Sequence, residues 1–85
     1  MQLRHVRNGS HSFIITALKQ PGQIGKIGAY FGEAGINIRD IHSSDDDALQ
    51  HLDIAVRVEV PTNITASEVR AKLLAIEGIL AVKIE

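Results

Sequence analysis

The nine residues from Leu52 to Val60 alternate strictly between large apolar side chains and other residue types. Leucine, isoleucine and valine hold one set of alternate positions. The other set is Asp53, Ala55, Arg57 and Glu59. Because successive side chains of a β-strand point to opposite faces, this period of two predicts a strand with one face against a core. The chain must therefore build a sheet, and the rest of the sequence must supply the layer that covers it.

Other segments supply three further strands and two helices. The β-branched and aromatic residues of His11–Leu18 predict a strand with two apolar faces, which suits a central position. The remaining predicted elements are a helix over about Pro21–Ala34, a strand over Ile36–Ser43, a helix over Ala66–Glu77 and a strand over Ile79–Glu85. In the second strand the apolar spacing Ile36, Ile38, Ile41 slips by one residue, which indicates a bulge.

Local signals fix the ends of both helices. Pro21 suits a first helical turn, because its missing N–H would be unpaired there anyway. Gly35 suits a left-handed cap at the end of the first helix. Thr65 and Glu68 have the spacing of a capping box. The apolar stripe of the first helix is Ile24, Ile27, Gly28, Phe31 and Ala34. The glycines at positions 25, 28 and 32 are unfavourable inside a helix and indicate close packing of the helix. The alternative is a close approach of a ligand at Gly25.

The order strand, helix, strand, strand, helix, strand predicts an α+β, ferredoxin-like βαββαβ sandwich. Right-handed crossovers put two helices on one face of a four-stranded antiparallel sheet. We expect residues 1–10 to be a flexible lead-in and residues 11–85 to form the domain. On the face away from the helices we expect an apolar surface. It consists of Ile14, Leu18, Ile41 and Ala55, and either another protein surface or the lead-in, through Val6, would cover it.

Composition excludes several functional classes. The 85 residues make one small domain, which is 45% apolar and 22% charged and therefore expected to fold. Nine basic against ten acidic residues give a charge of −1, which is not the basic footprint of a nucleic-acid binder. The absence of cysteine excludes disulfide and thiolate sites. No apolar run approaches the ~20 residues of a membrane span, so we expect a cytoplasmic protein without membrane contact.

Two short motifs flank the first predicted helix, namely Lys19-Gln20-Pro21-Gly22 and Gly35-Ile36-Asn37-Ile38. In this order and spacing they resemble an ACT domain, over residues 12–85; the usual family pattern is Asp-Arg-Pro-Gly followed by Gly-[Ile/Val]-Asn-Ile. The resemblance implies a non-catalytic regulatory domain that senses small molecules, mostly amino acids. It also implies side-by-side pairing into an eight-stranded sheet, with the effector at the seam. The implied partners are a second copy, as a homodimer or higher oligomer, and a catalytic domain in the same or another chain.

The resemblance implies a ligand site at the turn after the first strand and at the asparagine of the second motif. Its residues here are Lys19, Gln20, Pro21, Gly22, Gln23, Ile24, Asn37 and Ile38. The N–H groups of Gln23 and Ile24 at the helix start would hold a carboxylate. Lys19 and Gln20 replace the usual Asp and Arg, and Lys19 would repel an ammonium group. A more anionic metabolite is therefore an alternative to an amino acid.

Other functions remain as alternatives to metabolite sensing. The departure at Lys19 and Gln20 favours a structural dimerisation module without a ligand, such as the C-terminal regulatory domain of a guanosine-tetraphosphate synthetase. An RNA-binding sheet would need aromatic residues on strands one and three, and only Phe13 is there. An acylphosphatase-like enzyme would need an Arg in the loop after strand one. His42 and His51 could hold a metal with Asp45–Asp47, but we expect a solvated hairpin and neither metal nor cofactor.

Overall fold

The computed structural model describes residues 8–85, so the predicted lead-in lies outside the described residues up to residue 7. The elements are β1 (Asn8–Leu18), α1 (Gln23–Glu33), β2 (Asn37–Asp46), β3 (His51–Pro61), α2 (Ala66–Leu74) and β4 (Ile79–Ile84). The strands form one sheet in the order β2-β3-β1-β4, and all three neighbouring pairs are antiparallel. This confirms the predicted βαββαβ ferredoxin-like fold.

The core lies between the sheet and the two helices. The strands contribute alternate side chains, among them Phe13 and Ile15 of β1, which are fully buried. The predicted alternation of β3 is confirmed, because Ile54, Val56, Val58 and Val60 are at most 2% exposed. Both helices contribute to the same cluster, α1 through Ile27 and Phe31 and α2 through Val69 and Leu73. Since all these groups meet in one cluster, the helices cover a single face of the sheet.

The buried stripe of α1 starts one residue earlier than predicted. Gln23 is buried together with Ile27 and Phe31, whereas Ile24 is 39% exposed. The helical glycines do not pack closely against anything in the described structure, because a β-carbon on Gly25, Gly28 or Gly32 would have no neighbour within 4 Å. The interpretation that these three residues pack closely against other elements of the same chain is therefore wrong.

Several element ends differ from the prediction. β1 begins at Asn8 because residues 8–10 pair with residues 59–61 of β3, so these three residues of the predicted lead-in belong to the sheet. β2 continues to Asp46, through the polar residues predicted as a loop. Ladder hydrogen bonds use only the backbone, so polar side chains do not prevent pairing. α2 ends at Leu74 rather than Glu77, and the capping box of Thr65 and Glu68 is confirmed.

The register of β2 also decides what the uncovered face presents. The predicted bulge is confirmed as a register shift between Ile38 and Asp40. After the bulge Ile41 lies opposite Val56, whose side chain points into the core, so Ile41 faces the helix side. The expectation that Ile41 points away from the helices is wrong. The uncovered face instead carries Asp40 opposite Arg57 and His42 opposite Ala55, with Ile14 beside Ala55 on β1.

The two edges of the sheet are not equivalent. On β4 the Arg70 Nε donates to the Val82 carbonyl oxygen at 2.7 Å, so a side chain from α2 occupies a backbone acceptor of this edge strand. Along β2, successive residues point their backbone N–H and C=O groups alternately towards β3 and away from it. The register places the groups of Ile41, Ser43 and Asp45 on the side away from β3. Among the hydrogen bonds of residues 8–85, none from a side chain reaches these groups. The edge of β2 is therefore open to another strand.

Candidate ligand-binding site

The segment from Gln20 to Gln23 is a type II turn that leads directly into α1. The Gln23 N–H donates to the Gln20 carbonyl oxygen at 3.4 Å. Gly22 has φ +81° and ψ 2°, the conformation that the third residue of such a turn requires and that a residue with a β-carbon rarely adopts. Pro21 thus stands in the turn rather than in the first turn of the helix, and the helix begins at Gln23.

The amino end of α1 leaves donors free for a ligand. Gly22 is the N-cap and provides no side-chain cap, and the first turn contains no acidic residue. The first helical bond runs from the Lys26 N–H to the Gly22 carbonyl oxygen at 3.0 Å. Within the described chain, the Ile24 and Gly25 N–H groups have no acceptor. Such groups carry the positive end of the helix dipole and can bind a carboxylate.

Gln23 contributes differently from what the sequence predicts. Its backbone N–H donates within the turn and is not free to bind a carboxylate, contrary to the prediction. The free N–H group of Gly25 can take its place beside that of Ile24. Its side chain is 1% exposed, and its Nε2 donates to the Glu77 carbonyl oxygen at 3.2 Å. Its Oε1 is buried without a hydrogen-bond partner. In this arrangement the Gln23 side chain does not face a ligand at the surface.

Lys19 is engaged by the β2–β3 hairpin. Its Nζ lies 3.0 Å from Asp45 Oδ2 and 2.7 Å from Asp47 Oδ1, and its backbone N–H donates to the Gln50 carbonyl oxygen at 2.9 Å. The hydrogen bond to Asp47, followed by that to Asp45, raises the pKa of Lys19 above its ordinary 10.5. Two carboxylates thus face one ammonium group, so this end of the sheet is not cationic, contrary to the expectation that Lys19 would repel an ammonium.

The sequence predicts a solvated loop at Asp45 and Asp47 and does not predict their contacts with Lys19 in the candidate site. One available signal was topological. In the predicted fold the β2–β3 hairpin lies at the same end of the sheet as the end of β1, where Lys19 follows. Acidic residues on the hairpin could therefore replace the Asp that the turn motif lacks.

Asn37 lies at the opposite end of β2 from this group. Its Nδ2 donates to Glu59 Oε1 at 3.4 Å, and Arg39 Nη1 lies 3.5 Å from the same oxygen. Eight residues of strand separate Asn37 from Asp45, which corresponds to roughly 25 Å. Ile38 is half-buried against the core at the same far end. One chain therefore does not bring Asn37 and Ile38 together with residues 19–24.

The histidines of the hairpin are also kept apart. His42 lies opposite Ala55, and His51 lies opposite Asp46, four ladder steps away. In the part of the chain that the structure describes, no three His, Asp or Glu side chains are arranged to hold a metal ion.

The larger groove on the uncovered face, of about 230 Å³, is lined by His42, Ile14 and Ala55 among others and shares no residue with the turn. No helix of the described chain is long and apolar enough to span a bilayer.

The described residues form a ferredoxin-like sandwich whose first helix starts with two backbone N–H groups that have no acceptor within the described chain. The chain belongs to the ACT domain family, whose model matches residues 11–78. ACT domains are non-catalytic regulatory domains found attached to enzymes, which agrees with the resemblance seen in the sequence.

Solved structures share the fold at low sequence identity. The ACT domain of a GTP pyrophosphokinase from Chlorobium tepidum has a TM-score of 0.75 and 17% identity, over 92% of this chain and 99% of that one. A homoserine dehydrogenase from Thiobacillus denitrificans has a TM-score of 0.73 and 16% identity, over 93% of this chain and 17% of the enzyme. A formyltetrahydrofolate deformylase from Pseudomonas putida has a TM-score of 0.73 and 20% identity, over 91% and 28%. A search of curated proteins finds no match.

Proposed function

We propose that this ACT domain binds a small metabolite, an amino acid, at the junction of two copies and thereby controls an attached or partner metabolic enzyme. The observation that carries the proposal is the separation of the site residues. Residues 19–24 and Asp45 lie at one end of β2, and Asn37 lies at the other. An antiparallel pairing of two β2 edges puts the Asn37 of one copy beside the turn of its partner. The site is then complete only across two chains.

The edge of β2 supports such pairing. Its outward backbone groups at Ile41, Ser43 and Asp45 are open, whereas Arg70 occupies the Val82 carbonyl on β4. In an antiparallel pair of β2 strands centred on His42, the Arg39 of each copy lies opposite the partner's Asp45. Opposite charges at such cross-strand positions stabilise a sheet. Ile41, 39% exposed near the middle of the strand, would be covered by the partner.

The charges around the turn suit a zwitterion. The Ile24 and Gly25 N–H groups can hold the carboxylate of an amino acid at the positive end of α1. Asp45 and Asp47 together outweigh the charge of Lys19 and can accept the ammonium group. The side chain of Ile24, exposed on the first turn of α1, offers an apolar contact. This arrangement favours an amino acid over the more anionic metabolite.

Isothermal calorimetry with the twenty protein amino acids tests the proposal, and mixing of variants tests the composite site. We expect at least one amino acid to bind the wild type. Asn37→Ala and Asp45→Asn/Asp47→Asn should each lose binding of that amino acid. A mixture of the two variants should recover binding in one of the two sites of each heterodimer. That site combines the intact turn of one variant with the intact Asn37 of the other. A site contained in one chain would show no recovery.

A ligand-free dimerisation module is the second candidate, and one observation favours it. Lys19 and Asn37 already have partners within the chain, Asp45, Asp47 and Glu59. Calorimetry that gives no heat with any amino acid, together with a dimer in analytical ultracentrifugation, would support this function instead. The cytoplasmic location stays a prediction from the sequence.

A further inference from the structure

The turn between α2 and β4 is docked against both ends of the β1–α1 turn. The Leu18 N–H, at the end of β1, donates to the Gly78 carbonyl oxygen at 2.8 Å. The Gln23 Nε2, at the start of α1, donates to the carbonyl oxygen of the preceding residue, Glu77, at 3.2 Å. The Ile79 N–H closes the second turn on the Ile76 carbonyl oxygen at 3.1 Å, and β4 begins there.

The Gln23 amide fits against Gly78 without spare room. Gly78 has φ +90°, and a β-carbon placed on it would lie 2.1 Å from Gln23 Nε2 and 3.1 Å from Oε1. The amide thus occupies the space that a side chain at residue 78 would fill. A displacement of the first residue of α1 towards this turn therefore either moves Glu77 and Gly78 or undocks the Gln23 amide.

The Gln23 side chain also contributes unfavourably to the free energy of folding. Gln23 Oε1 is buried without a partner, and an unsatisfied buried acceptor costs about 1–3 kcal/mol. An apolar side chain of similar length would fill the position without this cost. The unpaired Oε1 makes the docked state of Gln23 less stable than a fully hydrogen-bonded amide would be, since undocking would let Oε1 bond to water. A change at the turn can therefore shift the population of the docked state.

We propose that Gln23 is a positioning residue that couples the β1–α1 turn to the start of β4. A change in the backbone of Gln20–Gly22 moves the first residue of α1, and the Gln23 amide passes this movement to Glu77, Gly78 and Ile79. The use of this coupling for regulation rests on the proposed function, in which a ligand is the cause of the change. The coupling itself is a property of the free chain.

The salt-bridge cluster of Lys19 provides a matched control. Like Gln23, this cluster holds the β1–α1 turn against another element. That element is the β2–β3 hairpin rather than the start of β4, and the contacts are exposed charges at Asp45 and Asp47. Removing Lys19 should therefore loosen the turn without interrupting the path to β4.

Native-state hydrogen exchange on the ligand-free full chain tests the coupling. Pro21→Ala loosens the turn, and we expect it to raise the exchange rate of the Ile79 amide at least threefold in the wild type and in Lys19→Met. In Gln23→Met the same substitution should change that rate by less than 1.5-fold. Gln23→Ala serves as a second background if the methionine variant does not fold.

Two results would overturn the proposal. One is an effect of Pro21→Ala on Ile79 that is as large without the Gln23 amide as with it. The other is no effect of Pro21→Ala in the wild type. Because no ligand is present, either result leaves the binding experiments above intact, and a failure to find a binding amino acid leaves this coupling intact.

Discussion

The side-chain amide of Gln23 lies directly against the α-carbon of Gly78, at the point where the β1–α1 turn meets the α2–β4 turn. Fifty-four residues separate Gln23 from the Glu77 carbonyl that its Nε2 contacts. The contact therefore closes a long loop and ties the candidate ligand-binding turn to the last strand. It also makes Gly78 the glycine whose replacement has two separate costs.

Gly78→Ala is expected to be the most destabilising Gly→Ala change in the described chain. The left-handed φ of +90° costs an alanine about 1–2 kcal/mol, and the β-carbon would also displace the Gln23 amide. We expect a loss of about 2–4 kcal/mol in the free energy of unfolding, measured by urea denaturation.

Two other glycines are matched controls for this change. Gly35→Ala has the same kind of φ, at +72°, but open space around it, so it should lose only the conformational part. Gly28→Ala, in the interior of α1 with no neighbour within 4 Å, should stabilise the protein by about 0.5–1 kcal/mol. Equal losses for Gly78→Ala and Gly35→Ala would contradict the contact with Gln23.

The contribution of Lys19 to the free energy of unfolding is expected to decrease at alkaline pH. Asp47 and Asp45 raise the pKa of Lys19 in the folded state, so its stabilisation is fully present below about pH 10.5 and is lost as pH rises through the folded-state pKa. The difference in unfolding free energy between wild type and Lys19→Met should be constant from pH 8 to 10 and shrink above pH 10.5. A difference that persists unchanged to pH 12 would show that the ammonium charge is not its source.

Arg70 is expected to protect the β4 edge. Arg70→Met keeps the apolar stem but removes the donor to the Val82 carbonyl oxygen, and we expect a loss of about 1 kcal/mol together with faster aggregation during refolding. Light scattering after dilution from urea measures the second effect. Lys72→Met, a change of an exposed cation on the same helix, serves as the control and should leave both quantities unchanged.

Asn37 is expected to matter for binding rather than for folding. Its hydrogen bond to Glu59 is exposed and long, at 3.4 Å, so Asn37→Ala should change the free energy of unfolding by less than about 0.5 kcal/mol. The affinity for the amino acid identified by calorimetry should fall at least tenfold. Unchanged affinity would remove Asn37 from the site.

The fold follows from periodic patterns, whereas the site does not. The alternation of Leu52–Val60 and the capping box at Thr65 depend on neighbours in the sequence, and both are confirmed. The strand pairing of the polar residues 43–46 depends on a partner strand and was missed.

The errors at the site have a similar cause. The salt bridges of Lys19 join residues 26 and 28 positions apart, and the burial of Gln23 depends on a glycine that follows α2. Neither relationship leaves a local pattern. The separation of Asn37 from the turn does follow from the predicted topology, because β2 starts at the opposite end of the sheet from the end of β1, but it is not visible in the two motifs themselves.

Disulfide trapping tests most directly whether two copies join along β2, because the chain has no cysteine of its own. In an antiparallel pair centred on residue 42, the two copies of that residue form a non-hydrogen-bonded pair about 4.5 Å apart at Cα, within the range of a disulfide. His42→Cys should therefore give a covalent dimer on mild oxidation. Lys83→Cys, which occupies the equivalent kind of position on β4, should stay monomeric. A monomeric His42→Cys protein, or equal trapping by both variants, would contradict the account.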